Sequence, residues 1–427
     1  MLASGLAMFK PLALILRRIV ARGDLTFITH KGVRHTFGDG AGRRVVVRLA
    51  DRRLERQLAL DPQLAVGEAY MDGRLVMVEG TVYDLLSVVL GNMMERPLPR
   101  WTQSIDLARF MTRRIAQYNP ARRARRNVAH HYDIDGTIYD LFLDSDRQYS
   151  CAYFSDRATT LEEAQVAKKR HLAAKLTVRE GHRVLDIGSG WGGLSLYLAR
   201  TAGCAVEGIT LSVEQLKLAQ ERAQRQGLGK VVHFDLRDYR EVEGRFDRIV
   251  SVGMFEHVGV NHYGTFFRKI RDMLADDGAA LIHFIGRSDR PAVTNPFIAK
   301  YIFPGGYIPA LSEVMPAIER SGLIATDIEI LRLHYAETLR HWRERFLRHR
   351  HEAARVKGER FCRMWEFYLA GSECAFRYQN LVVFQIQLAR RVDALPWVRD
   401  YMGQGERTLA MAERERSRHQ APPMAGE

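Results

Sequence analysis

The segment VLDIGSGWGG combines glycines and an acid at spacings that suit a cofactor-binding loop. Gly188, Gly190 and Gly193 satisfy the dinucleotide pattern GxGxxG, which is a weak signal when it stands alone. Asp186 precedes them, and a carboxylate there would repel a pyrophosphate but suits a cation such as the ammonium of a methionine moiety. Gly188, Gly190 and Gly192 also give the tighter spacing of S-adenosylmethionine sites. The segment therefore favours S-adenosylmethionine, with a purely structural glycine turn as the alternative.

Polar residues also follow the next two predicted strands. The strand end GITLS has no carboxylate, so Gln215 can take the place of the acid that usually holds the ribose hydroxyls. Ser212 and Gln215 fit a helix-capping box equally well. Asp238 and Tyr239 follow the third strand, where they would meet the adenine, although a solvated turn aspartate is the alternative. The residues alone leave both choices open.

These side chains are placed by strands that alternate with helices from about residue 160 onward. Apolar strand-like runs begin with VLDIG and end with LVVFQIQLA, and helical segments such as SVEQLKLAQERAQRQG separate them. This alternation predicts an α/β fold with a doubly wound, parallel, seven-stranded sheet that binds its ligand at the carboxyl ends of the strands. The basic stretch 337–367 is predicted to be helical.

Composition narrows the range of partners. The chain has 427 residues and a formal net charge of +14, which suits an anionic partner such as nucleic acid or a phospholipid surface. Nucleic acid is the less favoured of the two, because the basic run 113–126 contains a single stacking aromatic, Tyr118. The four cysteines form no CxxC pair, so we expect no metal site. We also expect no transmembrane helix, because no apolar run is long enough.

We divide the chain into three parts. Residues 1–125 form a smaller N-terminal α+β unit, 126–395 a catalytic unit, and 396–427 a polar tail that we expect to be disordered. The boundary falls at RRIAQYNPARRARR, where six arginines surround Pro120. Lys10 and Pro11 interrupt the first apolar run and no cleavage-site pattern follows it. We therefore interpret the opening residues as a cytosolic amphipathic helix.

Several longer motifs occur along the chain, in the order HHYDIDGTIYDLFLDSDRQYSCAYF, VLDIGSGWGGLSLYLA, GITLSVEQ, DYR, FDRIVSVGMFEHVG, HFIG and HYAETLRHW. In sequence, order and approximate spacing they resemble the motifs of the cyclopropane-fatty-acyl-phospholipid synthases and the mycolic acid cyclopropane synthases. The resemblance extends over about residues 60–390. It implies a class I S-adenosylmethionine-dependent methyltransferase (Rossmann-like) domain behind a small N-terminal lipid-handling domain.

The family's reaction begins when the cis double bond of an unsaturated phospholipid acyl chain attacks the sulfonium methyl group. The resulting carbocation loses a proton and closes to a cyclopropane ring, so the site must exclude water and can use aromatic faces to stabilise the cation. We expect the aromatics of the motifs to line this chamber: Tyr149, Tyr153, Phe154, Phe255, Phe284 and Tyr335. The alternative is a fatty-acyl phospholipid C-methyltransferase that leaves a methyl or methylene branch without ring closure.

The resemblance also implies the site residues. The family's base is a bicarbonate ion, which would be held here by Cys151, Glu256, His283, Tyr335 and the main chain of Ile285. The cofactor shell would comprise Tyr149, Ser150, Asp186, Gly188, Gly190, Gly192, Thr210, Leu211, Gln215, Asp238 and Tyr239. Taken singly, Cys151 fits a buried small hydrophobe and His283 a satisfied core histidine; the conjunction of motifs favours the catalytic interpretation.

The resemblance further implies a homodimer that is cytoplasmic and associates transiently with the inner face of the cell membrane. Basic surfaces would then hold the enzyme on anionic lipid, and vesicle binding should weaken with salt. One departure concerns the segment YLAGSECAFR, in which Ser372 stands where many family members have cysteine and Cys374 follows two residues later. The chemistry needs no covalent nucleophile, so we predict a structural role for Cys374.

Overall fold

The computed structural model describes residues 9–96, 109–111, 117 and 136–420. The predicted domain boundary at 125 and most of the arginine-rich run lie outside these ranges, as do the first eight residues and the last seven. The division at 125 therefore stays a prediction. The opening amphipathic helix is confirmed for Lys10–Ile19 (α1), whose apolar side, formed by Leu12, Ile15, Leu16 and Ile19, is buried.

The N-terminal unit is a small mixed sheet covered by helices. Its strands are Asp24–Ile28 (β1), Arg34–Phe37 (β2), Arg44–Leu49 (β3) and Leu75–Glu79 (β4), in the spatial order β2-β1-β3-β4. Helices Arg52–Leu60 (α2) and Pro62–Met71 (α3) separate β3 from β4, and Val82–Met93 (α4) follows. The α4 helix begins with a capping box, in which Thr81 and Asp84 satisfy each other's backbone N–H groups.

The larger unit is built on a seven-stranded sheet in the order β10-β11-β9-β8-β5-β6-β7. The strands are Arg183–Ile187 (β5), Ala205–Thr210 (β6), Val232–Leu236 (β7), Phe246–Val252 (β8), Leu274–Arg287 (β9), Ile324–Leu331 (β10) and Leu381–Ala389 (β11). Strands β5 to β9 pair in parallel. The predicted seven-stranded, doubly wound fold is confirmed.

Helices cover both faces of this sheet. Short Gly136–Asp140 (α5) and Leu161–Lys175 (α6) precede it; Gly193–Ala202 (α7), Val213–Arg225 (α8), Tyr263–Met273 (α9) and Leu311–Ser321 (α10) connect its strands. Alternate strand residues point to opposite faces, so Val184 packs with the α6–α8 side and Leu185 with the α9–α10 side. The glycine loop is thereby fixed between two buried layers.

One strand departs from the parallel arrangement. Strand β11 is antiparallel to both neighbours, β9 and β10. Three helices connect β10 to β11, namely His334–Arg348 (α11), Arg350–Lys357 (α12) and Glu359–Tyr378 (α13). The last of them ends beside the carboxyl end of β9, because Leu381 pairs with Arg287. The chain therefore enters the sheet at the functional edge and must run in the reverse direction.

The predicted disorder of 396–427 is wrong for most of that segment. Asp400–Gln420 forms a helix (α14) that packs on α6 and α7. Glu413 accepts hydrogen bonds from Arg170 Nε at 3.0 Å and from the Tyr197 hydroxyl at 2.6 Å. The polar composition predicted disorder, but the Glu413 carboxylate has partners on two other helices, α6 and α7. The residues from 421 onward lie outside the described part.

Within the described ranges, every helix is too short or too polar to cross a bilayer.

Candidate functional site

The glycine loop joins β5 to α7 with a backbone that favours glycine. Gly188, Gly190 and Gly192 all have positive φ, at 83°, 55° and 82°. A Cβ on Gly192 would lie 2.7 Å from Phe234 Cζ, so glycine there lets the loop pack closely against this side chain of β7. Asp186, at the end of β5, accepts a hydrogen bond from Ser195 Oγ at 2.7 Å. Burial raises the pKa of Asp186 to about 6.

A cavity opens over this loop, and we call it the glycine-loop cavity. All residues of the predicted cofactor shell line it except Gly192, which packs against Phe234 and Ala219. The lining residues from that set are Tyr149, Ser150, Asp186, Gly188, Gly190, Thr210, Leu211, Gln215, Asp238 and Tyr239. The structure thus brings together residues from the ends of β5, β6 and β7 and from the loop before α6.

The alternatives at Ser212 and Gln215 are resolved by their contacts. Gln215 N–H donates to Ser212 Oγ at 3.3 Å, so Ser212 is the helix cap. The reciprocal half of a capping box is absent, because Gln215 Oε1 instead accepts from Thr210 Oγ1 at 2.8 Å. Gln215 therefore presents its side chain to the cavity, as the cofactor interpretation requires. Asp238 also lines the cavity, buried and bidentate to Arg240, and is not a solvated turn residue.

A second, larger space lies on the other side of Tyr149 and Ser150. This apolar cavity has a volume of about 1240 Å³, beyond the ~300–1,000 Å³ of ordinary ligand pockets. Its walls come from the catalytic unit and from the N-terminal unit, including Leu16 on α1 and Leu86 on α4. Tyr149, Ser150, Gly253 and His257 line both cavities. A reactive group held over the glycine loop would therefore face an apolar chain in the second cavity.

Glu256 is the most unusual polar group of the apolar cavity. It lies in the short turn Phe255–His257 after β8, and its Oε1 accepts from the Ile285 N–H at 2.7 Å. Its other oxygen, Oε2, is buried and has no hydrogen-bond partner among the described residues. Burial raises the pKa of Glu256 to about 7, so the carboxyl group can carry a proton near neutral pH.

The remaining predicted base-binding side chains line the same cavity: Cys151, His283 and Tyr335. Burial lowers the pKa of His283 well below its ordinary value, so the ring is neutral. Gln385 Nε2 lies 3.2 Å from His283 Nδ1; with the amide as donor, the ring proton sits on Nε2. Burial raises the pKa of the Cys151 thiol above its ordinary value, so the thiol stays protonated. The cluster is thus a set of neutral groups with protons to donate.

Helix α11 positions two of these residues at once. Tyr335 lies in its first turn, while Thr338 Oγ1 accepts from the Ala152 N–H at 3.0 Å and His334 Nδ1 accepts from the Phe154 N–H at 3.0 Å. These bonds hold the strand-like segment that carries Cys151 against the helix. Ile285 differs from the prediction in one respect: its amide is engaged with Glu256, and its contact with an anion stays a prediction.

The aromatic lining is only partly the predicted one. Tyr149 and Tyr335 line the apolar cavity, but Phe255 and Phe284 are fully buried in the layer behind it, 4.9 Å apart between ring centroids. Tyr153 and Phe154 stack on histidines instead. The prediction was wrong for these four because membership of a motif does not fix the direction of a side chain; Phe284, for example, lies in β9 next to the cavity-lining His283 and points to the opposite face. The walls also use aromatics that were not predicted to line the chamber: Phe303, Tyr307, Phe367, Tyr368 and Phe376.

Cys374 is fully buried outside both cavities, and Ser372 lines the apolar one. Burial raises the pKa of Cys374 to about 12, so it is no thiolate nucleophile at neutral pH. Several residues of the glycine-loop cavity were not predicted from the sequence, among them Lys168 and Met254. The sequence offered one indication for Lys168, namely that it lies in the helix that directly precedes β5 and the glycine loop. No group of metal-binding side chains occurs among the residues that the structure describes.

The fold and the loop geometry define a class I S-adenosylmethionine-dependent methyltransferase. The family model for mycolic acid cyclopropane synthetase matches residues 119–386, so the chain belongs to that family. It is similar to the cyclopropane-fatty-acyl-phospholipid synthase of Escherichia coli, with 37% identity over 81% of this chain and 88% of that protein. It is also similar to a probable fatty acid methyltransferase of Pseudomonas putida, with 35% identity over 86% and 93%.

A solved structure shares the catalytic unit. It is a mycolic acid cyclopropane synthase in complex with SAH and CTAB, 30% identical, covering 64% of this chain and 99% of its own, with a TM-score of 0.59. That complex supports the use of S-adenosylmethionine by the present chain, since SAH is the demethylated cofactor.

Proposed function

We propose that the protein is a cyclopropane-fatty-acyl-phospholipid synthase, which adds a methylene group from S-adenosylmethionine to the cis double bond of an unsaturated phospholipid acyl chain. One observation carries this proposal. The apolar cavity meets the glycine-loop cavity at a wall of Tyr149, Ser150, Gly253 and His257, and the same apolar cavity holds a cluster of proton-bearing groups.

The protein's part in the reaction is to align the reactants and keep them dry. When bound, S-adenosylmethionine supplies an electrophilic methyl group. The apolar cavity holds the alkene against it, which matters because an unactivated alkene is a weak nucleophile. The aromatic faces of Tyr149, Tyr335 and Phe376 stabilise a neighbouring carbocation, and the buried setting excludes the water that would quench it.

A bound bicarbonate ion fits the polar cluster and would supply the base. The fit rests on the unpartnered Oε2 of Glu256 and on the neutral state of His283, since both groups can donate protons to an anion. Such donors would hold two oxygens and leave the third to accept the proton of the new methyl group. Removing that proton allows the ring to close.

A phospholipid is the acyl carrier that the surface suits best. The net charge of +14 favours an anionic leaflet, and the apolar cavity is large enough to take a long chain from it. We therefore propose a peripheral association with the membrane. Binding to vesicles of anionic phospholipid should weaken steeply with added salt and with neutral lipid; salt-insensitive binding would contradict it.

A C-methyltransferase that leaves a methyl or methylene branch is the second candidate. The similarity to the probable fatty acid methyltransferase of P. putida favours it. Both activities share the first step, and they differ in the fate of the cation. Ring closure is the expected outcome where a base is held beside the new methyl group, as the Glu256 cluster allows.

The deciding experiment is expression in a bacterial host without cyclopropane lipids, followed by mass spectrometry and NMR of the fatty acids. Ring protons on chains one carbon heavier would support the synthase, whereas branch-methyl or methylene signals would support the second candidate. The Glu256→Gln variant is the control. It retains the acceptor for the Ile285 N–H but carries no acidic proton, so product should fall by about 100-fold. Unchanged lipids with the folded wild-type protein would refute both candidates.

A further inference from the structure

Lys168 is a buried cation that the reaction described above does not use. It lies on α6 and is 1% exposed, yet its side chain lines the glycine-loop cavity. Its Nζ donates to Gln148 Oε1 at 2.6 Å and to Ser150 Oγ at 2.9 Å. Both acceptors are neutral, and both residues line the cavity as well.

The charge of Lys168 lacks a direct counter-ion among the described residues. The neighbouring Lys169 is different, because it forms an ion pair with Asp146 at 2.5 Å. Asp146 also pairs with Arg222, and Asp144 is engaged by the backbone N–H groups of Asp146 and Gln148. These carboxylates favour the charged form of Lys168 only from a distance. A buried cation without a paired anion is costly, so a ligand anion at this position would relieve that cost.

We propose that Lys168 binds the α-carboxylate of S-adenosylmethionine and thereby selects the amino-acid end of the cofactor. The inference rests on the use of S-adenosylmethionine in the glycine-loop cavity, and it goes beyond the proposed lipid chemistry. Asp186 lines the same cavity and suits the α-ammonium group. An acid and a base in one cavity wall match the two charges of a zwitterion.

The electrostatics agree with this geometry. Burial lowers the pKa of Lys168 to about 8 and raises the pKa of Asp186 to about 6. Each group is therefore pushed towards its neutral form when the cavity holds no ligand charges. A zwitterion with its carboxylate at Lys168 and its ammonium at Asp186 would stabilise the charged form of each group. Ser150 accepts a hydrogen bond from Lys168 and lines both cavities. It therefore links the proposed carboxylate site to the wall between the cavities, where the methyl group would be presented.

Calorimetry with two cofactor analogues tests the proposal without any lipid. S-adenosylhomocysteine carries the carboxylate, while its decarboxylated counterpart retains the amine and the nucleoside. The wild-type protein should bind S-adenosylhomocysteine about 10- to 100-fold more tightly than the decarboxylated analogue. Lys168→Gln retains donors for Gln148 and Ser150 but removes the charge, so this preference should collapse to within about 3-fold while the affinity for the analogue is retained.

Two further variants make the result decisive. Lys168→Met should lose the preference in the same way, and Lys217→Gln, which removes an exposed lysine from α8, should retain it. Thermal unfolding confirms that each variant is folded. If Lys168→Gln lowers the affinity for both ligands by the same factor, or for neither, Lys168 does not bind the carboxylate and the proposal is overturned. Because no lipid is present, a failure of the proposed lipid chemistry leaves this outcome untouched.

Discussion

Glu256 illustrates how burial prepares a single residue for chemistry. The side chain is 9% exposed, accepts one hydrogen bond from a backbone amide and leaves its second oxygen without a described partner. Desolvation disfavours the carboxylate, and burial therefore raises the pKa to about 7. A carboxyl group that retains its proton at neutral pH can donate a hydrogen bond to an anion, which an ordinary glutamate cannot.

This raised pKa predicts a stability difference that depends on pH. Between the ordinary pKa of 4.5 and about 7 the folded state binds the proton more tightly than the unfolded state, so wild-type stability falls as pH rises through that window. The neutral amide of Glu256→Gln resembles the protonated carboxyl group, so the stability of this variant does not fall as pH rises. Its free energy of unfolding should exceed the wild-type value by about 3 kcal/mol above pH 7 and approach it near pH 4.

Denaturant unfolding at several pH values measures this difference. Glu214→Gln, at an exposed position on α8, is the matched control and should follow the wild-type curve. A constant offset between Glu256→Gln and wild type across the whole pH range would contradict the predicted protonation.

Cys374 gives a second prediction at the scale of single residues. Because it lies outside both cavities and its thiol is protonated, Cys374→Ser should retain turnover within about 3-fold. Its stability should fall by about 1–2 kcal/mol, since a hydroxyl replaces a buried thiol. Turnover of the folded variant measures the first quantity, and a near-complete loss would restore the nucleophile hypothesis. Ser372→Cys is the comparison for Cys374→Ser, because it places a thiol at a position that lines the apolar cavity.

At the scale of elements, α14 is held in place by a buried charge network. His171 on α6 lies between Glu329 of β10 and Glu406 of α14, at 2.7 and 2.5 Å. Burial alone would lower the pKa of His171, but the two carboxylates outweigh it and the net pKa is raised. The protonated ring therefore links three elements, which explains why a helix of polar composition is ordered.

The docking of α14 should consequently depend on pH. A raised histidine pKa adds stability that is complete below about 6.5 and is lost as pH rises through the folded-state value. Amide hydrogen exchange in α14, corrected for the intrinsic rate, should show weaker protection at about pH 8.5 than at about pH 6. His171→Gln should show weak protection at both, whereas His233→Gln, on an exposed site of β7, should behave as wild type. Equal protection of the wild-type protein at both pH values would show that the His171 network does not hold α14 in place.

At the scale of the whole molecule, the apolar cavity connects the two units. Its walls include α1 and α4 of the N-terminal unit and α13 of the catalytic unit, and Ser87 of α4 bonds to the Tyr378 hydroxyl of α13 at 3.0 Å. Neither unit encloses the cavity by itself. The N-terminal unit is thus part of the space that would receive the acyl chain.

Filling that space should separate lipid turnover from cofactor binding. Gly371 lines the cavity on α13, and a Cβ there would lie 3.8 Å from Leu86 Cδ1, an ordinary contact. Gly371→Leu should therefore fold, with helix propensity in its favour by up to about 1 kcal/mol. Turnover of long-chain unsaturated phospholipid should fall by about 10-fold or more, because the side chain occupies the path of the acyl chain.

Calorimetry with S-adenosylhomocysteine should give an unchanged affinity for Gly371→Leu. Gly403→Leu, on α14 and away from both cavities, is the matched control and should retain turnover. Full turnover by Gly371→Leu on every chain length would show that the substrate does not pass between α4 and α13.

The sequence by itself determined the fold class and the glycine loop, and its resemblance to a known family indicated which residues would form the polar cluster. These are local patterns: strand and helix periodicities, glycines that need positive φ, and motifs such as MFEHVG and YSCAY. Each retains its meaning whatever the rest of the chain does. The placement of Asp186 near the end of β5 follows from the same patterns.

Only the tertiary structure decided which side chains face the cavities and which polar groups lack partners. Phe255 and Phe284 were expected to line the chamber yet face the core, while Phe376 was not among the expected aromatics and lines the cavity. The order of α14 and the charge of Lys168 depend on partners that are distant in the sequence, such as Glu329 with His171. Burial and pairing are properties of surroundings assembled from several elements, so no local pattern could specify them.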